Sequence, residues 1–423
     1  MTEQAPSANT AANTASTATA SIATASTTTV IGIALASVLV PLNSTMIAVA
    51  LPSLAREFGI EKAHASVLVT VYLTAMLVGQ PIAGRVGDRI GVRRLATISV
   101  VGFGMFSGLS MFAGTFPVLV ACRAGQAVFA SALMPSVQAM LRMVTTPADR
   151  GRAFGVQGSV IGIGAGLGPV IGGVLLATLG WRAIFGVNIP IVLVVLWVLR
   201  RTVPVSVDKS STSPQSVPSA SRERVANAVF VAAFSTQSLA TFAQYGLLLL
   251  TPMLLDERGW GSAAVGGALS LLTVGLIVTS PPGGRLGDER GRRFPVLVGL
   301  AVAAIAVAAS AALGDAAASA VLLMTLTLFG LGLGLASPGI QTAGIEAAPE
   351  RRIGFASGLL SASRYVGSIT ASILLTLLVD DHGGGAGTML ALCAIALLLA
   401  LGTASKLPGP GAVSAPKSAA PGG

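Results

Sequence analysis

Two arginines stand inside apolar runs, where a cation has no cheap solvent. Arg123 lies in ACRAGQAVFASALMPSVQAM and Arg364 in SASRYVG. A guanidinium in such surroundings must meet water, an anion or a polar partner, so it is a functional candidate by default. Gln126 follows Arg123 at i+3, and Met134 and Gln138 come later on nearly the same helical face. In AAFSTQSLATFAQYGLLLL, the residues Gln237, Thr241 and Gln244 fall at i, i+4 and i+7 on one face, with Tyr245 at its border. VLVPLNSTMIAVALP adds the amide of Asn43. These side chains offer positive charge, hydrogen bonds and an aromatic face, which is the chemistry of reversible binding. The plainer alternatives are an arginine bonded to helix carbonyls and polar groups bonded between helices.

Bond-breaking chemistry lacks its residues. There is no HExxH, and neither His64 nor His382 lies in an apolar run. The Gly-Asp pairs at 87–88 and 287–288 lack a GxGD form, and no GxSG serine occurs. Cys122 and Cys393 sit in separate apolar runs and give neither a disulfide framework nor a metal spacing. GIGAGLGP has Pro169 where a dinucleotide loop needs its last glycine, and no strand pattern precedes it. The expectation is a protein that is not an enzyme and holds no cofactor and no metal.

The elements that must position these residues are long apolar helices. The chain has 423 residues, 53% hydrophobic and 10% charged, and a soluble fold could not hide that much apolar surface. Runs of about 20 residues suffice to cross ~30 Å of hydrocarbon. Twelve candidate spans cover about 29–52, 64–84, 95–113, 117–141, 153–178, 183–200, 226–255, 262–283, 295–313, 317–345, 353–379 and 387–405. Residues 1–28 read as a disordered Thr/Ala/Ser tail rather than a secretory signal, and 406–423 as a second disordered tail. A Ser/Pro-rich linker at 201–225 separates a six-span unit at 29–200 from another at 226–405.

With both termini placed inside, 20 of the 26 Lys and Arg residues fall in cytoplasmic segments and four in outer loops. That bias sets the orientation in a plasma membrane, multi-pass with both ends cytoplasmic. It also accounts for the net charge of +10 without a nucleic-acid partner.

A charged glycine strip occurs twice: PIAGRVGDRIGVRR at 81–94 and PPGGRLGDERGRR at 281–293. Pro81, Gly84, Arg85, Gly87, Asp88, Gly91 and Arg93 recur 200 positions later, each strip placed in a short loop after the second span of its half. MPSVQAM and SPGIQTA, in spans four and ten, form a second echo. The halves therefore read as parallel copies.

This layout resembles the major facilitator superfamily along nearly the whole chain, and within it the drug:proton antiporter-like exporters of drugs or metabolites. The resemblance implies an all-α membrane protein of twelve transmembrane helices in two pseudo-symmetric six-helix bundles. It also implies that the strips gate the cytoplasmic end. Gly84, Gly87, Asp88 and Asp288 would act there, with Asp88 facing a helix N-terminus of the opposite half. Arg85, Arg93 and Arg94 would hold the loop and anionic lipid.

Span five resembles the family's antiporter motif through Gly155, Gly164, Gly168, Pro169, Gly172 and Gly173. Gly164, Gly168 and Gly172 form one bare ridge for a neighbouring helix. The alternative is plain packing with no bearing on transport direction. Arg123 and Gln126 resemble an RxxQG motif with Ala127 in place of glycine, and 42–52 resembles LDxTxxNxALP with Asn43 in place of the aspartate.

Asn43, Arg123, Gln126, Met134, Gln237, Thr241, Gln244, Tyr245 and Arg364 are the expected substrate-binding residues. No span supplies a clear central carboxylate, so Glu346 is the remaining candidate for proton coupling. The resemblance implies export of small organic molecules, with protons as the coupled ion, membrane lipids as surroundings and a monomer as the working unit. Uptake by a symporter or facilitator is the alternative.

Overall fold

A computed structural model describes residues 27–60, 62–65, 67–202, 225, 227–260, 262–313, 319–349, 352–378 and 385–409. Most of the expected tails and linker, with Asp315, Asp380 and Asp381, lie outside the described residues.

Among the described residues, twelve membrane helices follow one another. The first, α1, joins Thr27–Leu35, a 3-10 turn at Ala36–Val38, and Leu39–Glu57. Then come α2 (Val67–Ile90), α3 (Val92–Met111), α4 (Phe116–Val144) and α5 (Arg150–Leu179). A short helix, Trp181–Gly186, leads into α6 (Asn188–Thr202). The second six are α7 (Ala228–Glu257), α8 (Ser262–Arg290), α9 (Arg293–Leu313), α10 (Ser319–Glu346), α11 (Ile353–Leu378) and α12 (Ala386–Ala404). Eleven of the spans are long and apolar enough to cross a membrane. The other, α11, carries five serines together with Arg364 and Tyr365, which lowers its hydropathy.

The strips are not loops. Residues 81–90 finish α2 and 281–290 finish α8, both helical to the last charge. The sequence reading ended these helices where charge begins, but a helix can run past the hydrocarbon edge into the polar layer. Each ends at a glycine of positive φ, Gly91 at 92° and Gly291 at 83°, which a side chain would strain.

Two contacts join the halves along their length: α2 packs on α11, and α5 on α8. Between lipid-bathed helices association comes from close packing rather than from the hydrophobic effect, and small residues permit it. A methyl group at Gly84 would overlap the Gly354 carbonyl, and one at Gly284 would overlap that of Gly151. The glycines of α5 serve two faces. Gly151, Gly155, Gly158 and Gly162 meet α8, whereas Gly164, Gly168 and Gly172 meet Val38, Thr45 and Met46 of α1. Gly173 faces open space, and the helix runs unbroken through Pro169.

One large buried cluster contains residues of both halves. A second, from Leu42 and Met46 to Leu68, Leu119 and Phe185, belongs to the first six helices alone. It lies away from the arginine-rich end.

Candidate functional site

Arg123 is 1% exposed and centres a network that ties five helices of the first half together. Its Nη1 donates to Asn43 Oδ1 on α1 at 2.9 Å and to Gln126 Oε1 on its own helix at 2.5 Å. Gln126 Nε2 donates to Ser107 Oγ on α3 at 2.5 Å, and Asn188 Nδ2 on α6 donates to the same oxygen at 2.9 Å. The guanidinium lies over the Tyr72 ring of α2, 3.9 Å from its centroid. A ring face and two amide oxygens share this charge, but none of them neutralises it. No described carboxylate pairs with it. Asn43 Nδ2, Arg123 Nε and the Tyr72 hydroxyl are buried without a hydrogen-bond partner among the described residues.

Across the interface, Gln237 Nε2 donates to Thr241 Oγ1 at 3.2 Å, and both residues are buried. Gln244, Tyr245, Arg364 and Tyr365 are partly exposed at mid-span. Tyr365 interacts electrostatically with Tyr72 and Tyr245, as well as with Arg364. The chain has three tyrosines, so all of them gather with both intramembrane arginines where the halves meet. Arg364 has no hydrogen bond or ion pair among the described residues. Met134 is 6% exposed and supplies apolar wall.

Toward the arginine-rich end the halves are fastened. Asp88 accepts hydrogen bonds from the Gly354 and Phe355 N–H groups at 2.7 and 3.0 Å, at the start of α11. Asp288 accepts from Gly151 and Arg152 N–H, each at 2.8 Å, at the start of α5. A carboxylate suits these positions because the first N–H groups of a helix lack intrahelical partners and carry partial positive charge. Arg85 lies over the Phe355 ring at 4.2 Å.

The second clasp is more heavily charged than the first. Arg292, fully buried, reaches Asp288, Glu346 Oε1 at 3.1 Å and the Pro147 carbonyl at 2.6 Å. Arg150 stands 3.5 Å from the same Glu346 oxygen. Burial works against the Arg292 charge, but Glu346 and Asp288 outweigh it and hold the guanidinium above its usual range. Between the clasps and the tyrosines, Gln138 donates to Gln341 at 3.2 Å and accepts from Ser361 at 3.1 Å, and Arg142 donates to the Ile345 and Ala348 carbonyls.

The Major Facilitator Superfamily model matches residues 33–372 and, in an overlapping second match, 239–421. The chain belongs to the major facilitator superfamily. It is a transporter of that superfamily with multidrug-efflux relatives, built on the twelve-helix facilitator fold. The uncharacterized MFS-type transporter YvkA of Bacillus subtilis is 28% identical over 405 residues, covering 84% of this chain and 90% of the relative. The puromycin resistance protein Pur8 of Streptomyces alboniger is 39% identical over 162 residues, which are 38% of this chain and 32% of that protein. Among solved structures, the human organic anion transporter MFSD10 superposes with a TM-score of 0.70 at 16% identity, over 89% of this chain and 99% of that one; this likeness concerns the fold.

The facilitator fold thus brings Asn43, Arg123 and Gln126 into one hydrogen-bonded cluster, and Arg364 beside Tyr245. It sets Gln237 with Thr241 on the wall of the second bundle. It leaves Gly84, Gly87, Asp88, Asp288 and Glu346 at the arginine-rich end with Arg85, Arg93 and Arg94, well away from Arg123. Sequence reasoning missed Tyr72, Ser107, Asn188, Tyr365 and Arg292. The scarcity of tyrosine was a usable signal. Ser107 and Asn188 gave none, because their role comes only from helices 19 and 62 residues away from Gln126 in sequence.

Proposed function

We propose that this transporter exports small organic molecules from the cytoplasm by alternating access, coupled to proton entry. The arginine-rich end is cytoplasmic on this reading, so the structure corresponds to a state closed inward. The observation that carries the reading is a pair of intramembrane arginines, Arg123 and Arg364, gathered with the three tyrosines where the halves meet, with no described carboxylate to neutralise them. Such a site carries positive potential, favours neutral or acidic solutes and disfavours cationic ones. Asn43, Gln126, Gln244, Tyr245 and the Tyr72 and Tyr365 rings supply orientation. The drug-resistance name of Pur8 supports outward transport of a toxic or secreted compound.

Glu346 is the proposed proton-coupling group. It holds Arg150 of the first half and Arg292 of the second while the clasp is shut. Opening that end separates Glu346 from the cation of one half, so the carboxylate stands at the point where the two states differ. The missing acid at Asn43 favours a second reading, a facilitator or symporter of neutral or anionic solutes.

Flux in proteoliposomes separates the two. Export predicts that an opposing pH gradient drives solute uphill, and that Glu346→Gln abolishes the drive while downhill exchange persists. Solute movement that is only downhill, or uphill in the same direction as the proton, would favour the second reading.

A further inference from the structure

The second half places apolar side chains where the first half carries the Arg123 network. The repeat sets α3 on α9 and α4 on α10. Buried Val100 and Phe103 answer to Leu300 and Ala303, and Leu119 and Ala130 to Leu322 and Leu333. In the same registers Ser107 answers to Val307, Arg123 to Leu326 and Gln126 to Phe329, and these three apolar residues are fully buried. The fold therefore fills this joint with hydrocarbon where nothing else is asked of it. Polar atoms at such depth need partners, so the first half carries them for a purpose other than packing.

The network runs in one direction. A guanidinium only donates, so Gln126 must turn its oxygen to Arg123 and its amino group to Ser107. At the far end, Asn188 Nδ2 donates to the Ile184 carbonyl at 3.4 Å as well as to Ser107 Oγ at 2.9 Å. A backbone carbonyl only accepts, so the Asn188 amide cannot turn round without setting two oxygens against each other. It keeps this orientation although its Oδ1 has no partner among the described residues. Ser107 Oγ thus receives a hydrogen from each side, which commits both its lone pairs. Freed of Asn188, the same hydroxyl could give its proton to Gln126, turn that amide over and present an amino group to Arg123.

We propose that Asn188 is a positioning residue for Arg123. By making Ser107 an acceptor it holds the Gln126 oxygen on the guanidinium, and so keeps the charge between Asn43 and Tyr72 where an anionic solute meets it. The meeting with an anionic solute rests on the charge-selective transport proposed above; the positioning does not.

Nitrogen-15 NMR of the full chain in lipid nanodiscs reads the positioning without transport, with the Arg123 signal assigned by its absence from Arg123→Lys. In the unaltered protein the two Nη groups should rotate slowly and give resolved signals. These should average in Asn188→Leu and in Ser107→Cys, whose sulfur is a weak acceptor, whereas Ser107→Thr keeps the hydroxyl and the resolved signals. Averaging already present in the unaltered protein, or resolved signals in Asn188→Leu or Ser107→Cys, would overturn the proposal, and either variant suffices if the other fails to fold. Titration of the same signals with benzoate and benzamide separates positioning from support of the fold. Benzoate should be needed at about fivefold higher concentration in Asn188→Leu, with the response to benzamide unchanged; equal weakening of both would mean a merely structural role and would overturn the proposal. Averaging in the variants with no response to benzoate in any form leaves the positioning standing and removes the charge-selective reading instead.

Discussion

Gly84→Ala should open the arginine-rich end. A Cβ at this position overlaps the carbonyl of Gly354 and comes within 2.9 Å of Phe355 Cα. The obstacle is backbone, in the same helical turn whose N–H groups hold Asp88. No rotamer change relieves it; α2 and α11 must separate. Overpacking of this kind costs about 1–3 kcal/mol. The cost falls only on the state in which the two helices touch, whereas the helix-propensity gain of alanine over glycine is common to both states. The ratio of open to closed molecules should therefore rise about 5- to 150-fold.

Spin labels at Arg89 and Glu289, both exposed near the ends of α2 and α8, report the change by pulsed double-resonance distances after Cys122 and Cys393 are replaced by alanine. The variant should add a longer-distance population that the parent lacks. Gly173→Ala meets nothing within 4 Å and serves as the silent control. A folded Gly84→Ala protein whose distances match the control would refute the idea that contact of α2 with α11 keeps this end shut.

Other outcomes follow from the same geometry. Ser107→Ala removes the acceptor for both Gln126 and Asn188; the lost partners should cost about 1–3 kcal/mol, read as a melting temperature lower by several degrees, and an unchanged value would count against the network. Asn43→Asp places a carboxylate against Arg123 and should shift the transport ratio toward cations; a panel of cationic and anionic solutes showing no shift would count against a charge-selective site. Glu346→Gln should lengthen the Arg89–Glu289 label distances and flatten the pH dependence of transport, and retention of a normal pH profile would remove Glu346 from the coupling step. Asp288→Asn should loosen the arginine-rich end more than Asp88→Asn, because Asp288 also serves the buried Arg292; equal effects on the label distances would contradict that ranking.

The helical architecture was legible because bilayer thickness imposes length and hydropathy together, and the repeat was legible because the glycine and aspartate spacings recur intact. The ends of the helices were harder to read. Charge at Arg85 and Asp88 looked like loop, yet α2 continues to Ile90 and stops only where Gly91 adopts a positive φ. Asn43 and Arg123 could be matched by depth, since helical rise converts sequence position into height. Depth says nothing of direction around the helix, so the sharing of Ser107 by Gln126 and Asn188 was invisible. Arg292 was counted only as interface charge, because its burial depends on Pro147 and Glu346, each more than 50 residues away. Glycines were read as one ridge on α5. The second face, toward α8, became apparent only once the partner helix was in place.

The central claim is that uncompensated positive charge at Arg123 and Arg364 selects what is carried. Initial flux of three solutes of similar size, one anionic, one neutral and one quaternary ammonium, measured in proteoliposomes with and without a pH gradient, tests it most directly. The account predicts transport of the anionic and neutral solutes, little of the cation, and loss of the anion preference in Arg123→Gln. Faster transport of the quaternary ammonium by the unaltered protein would contradict it.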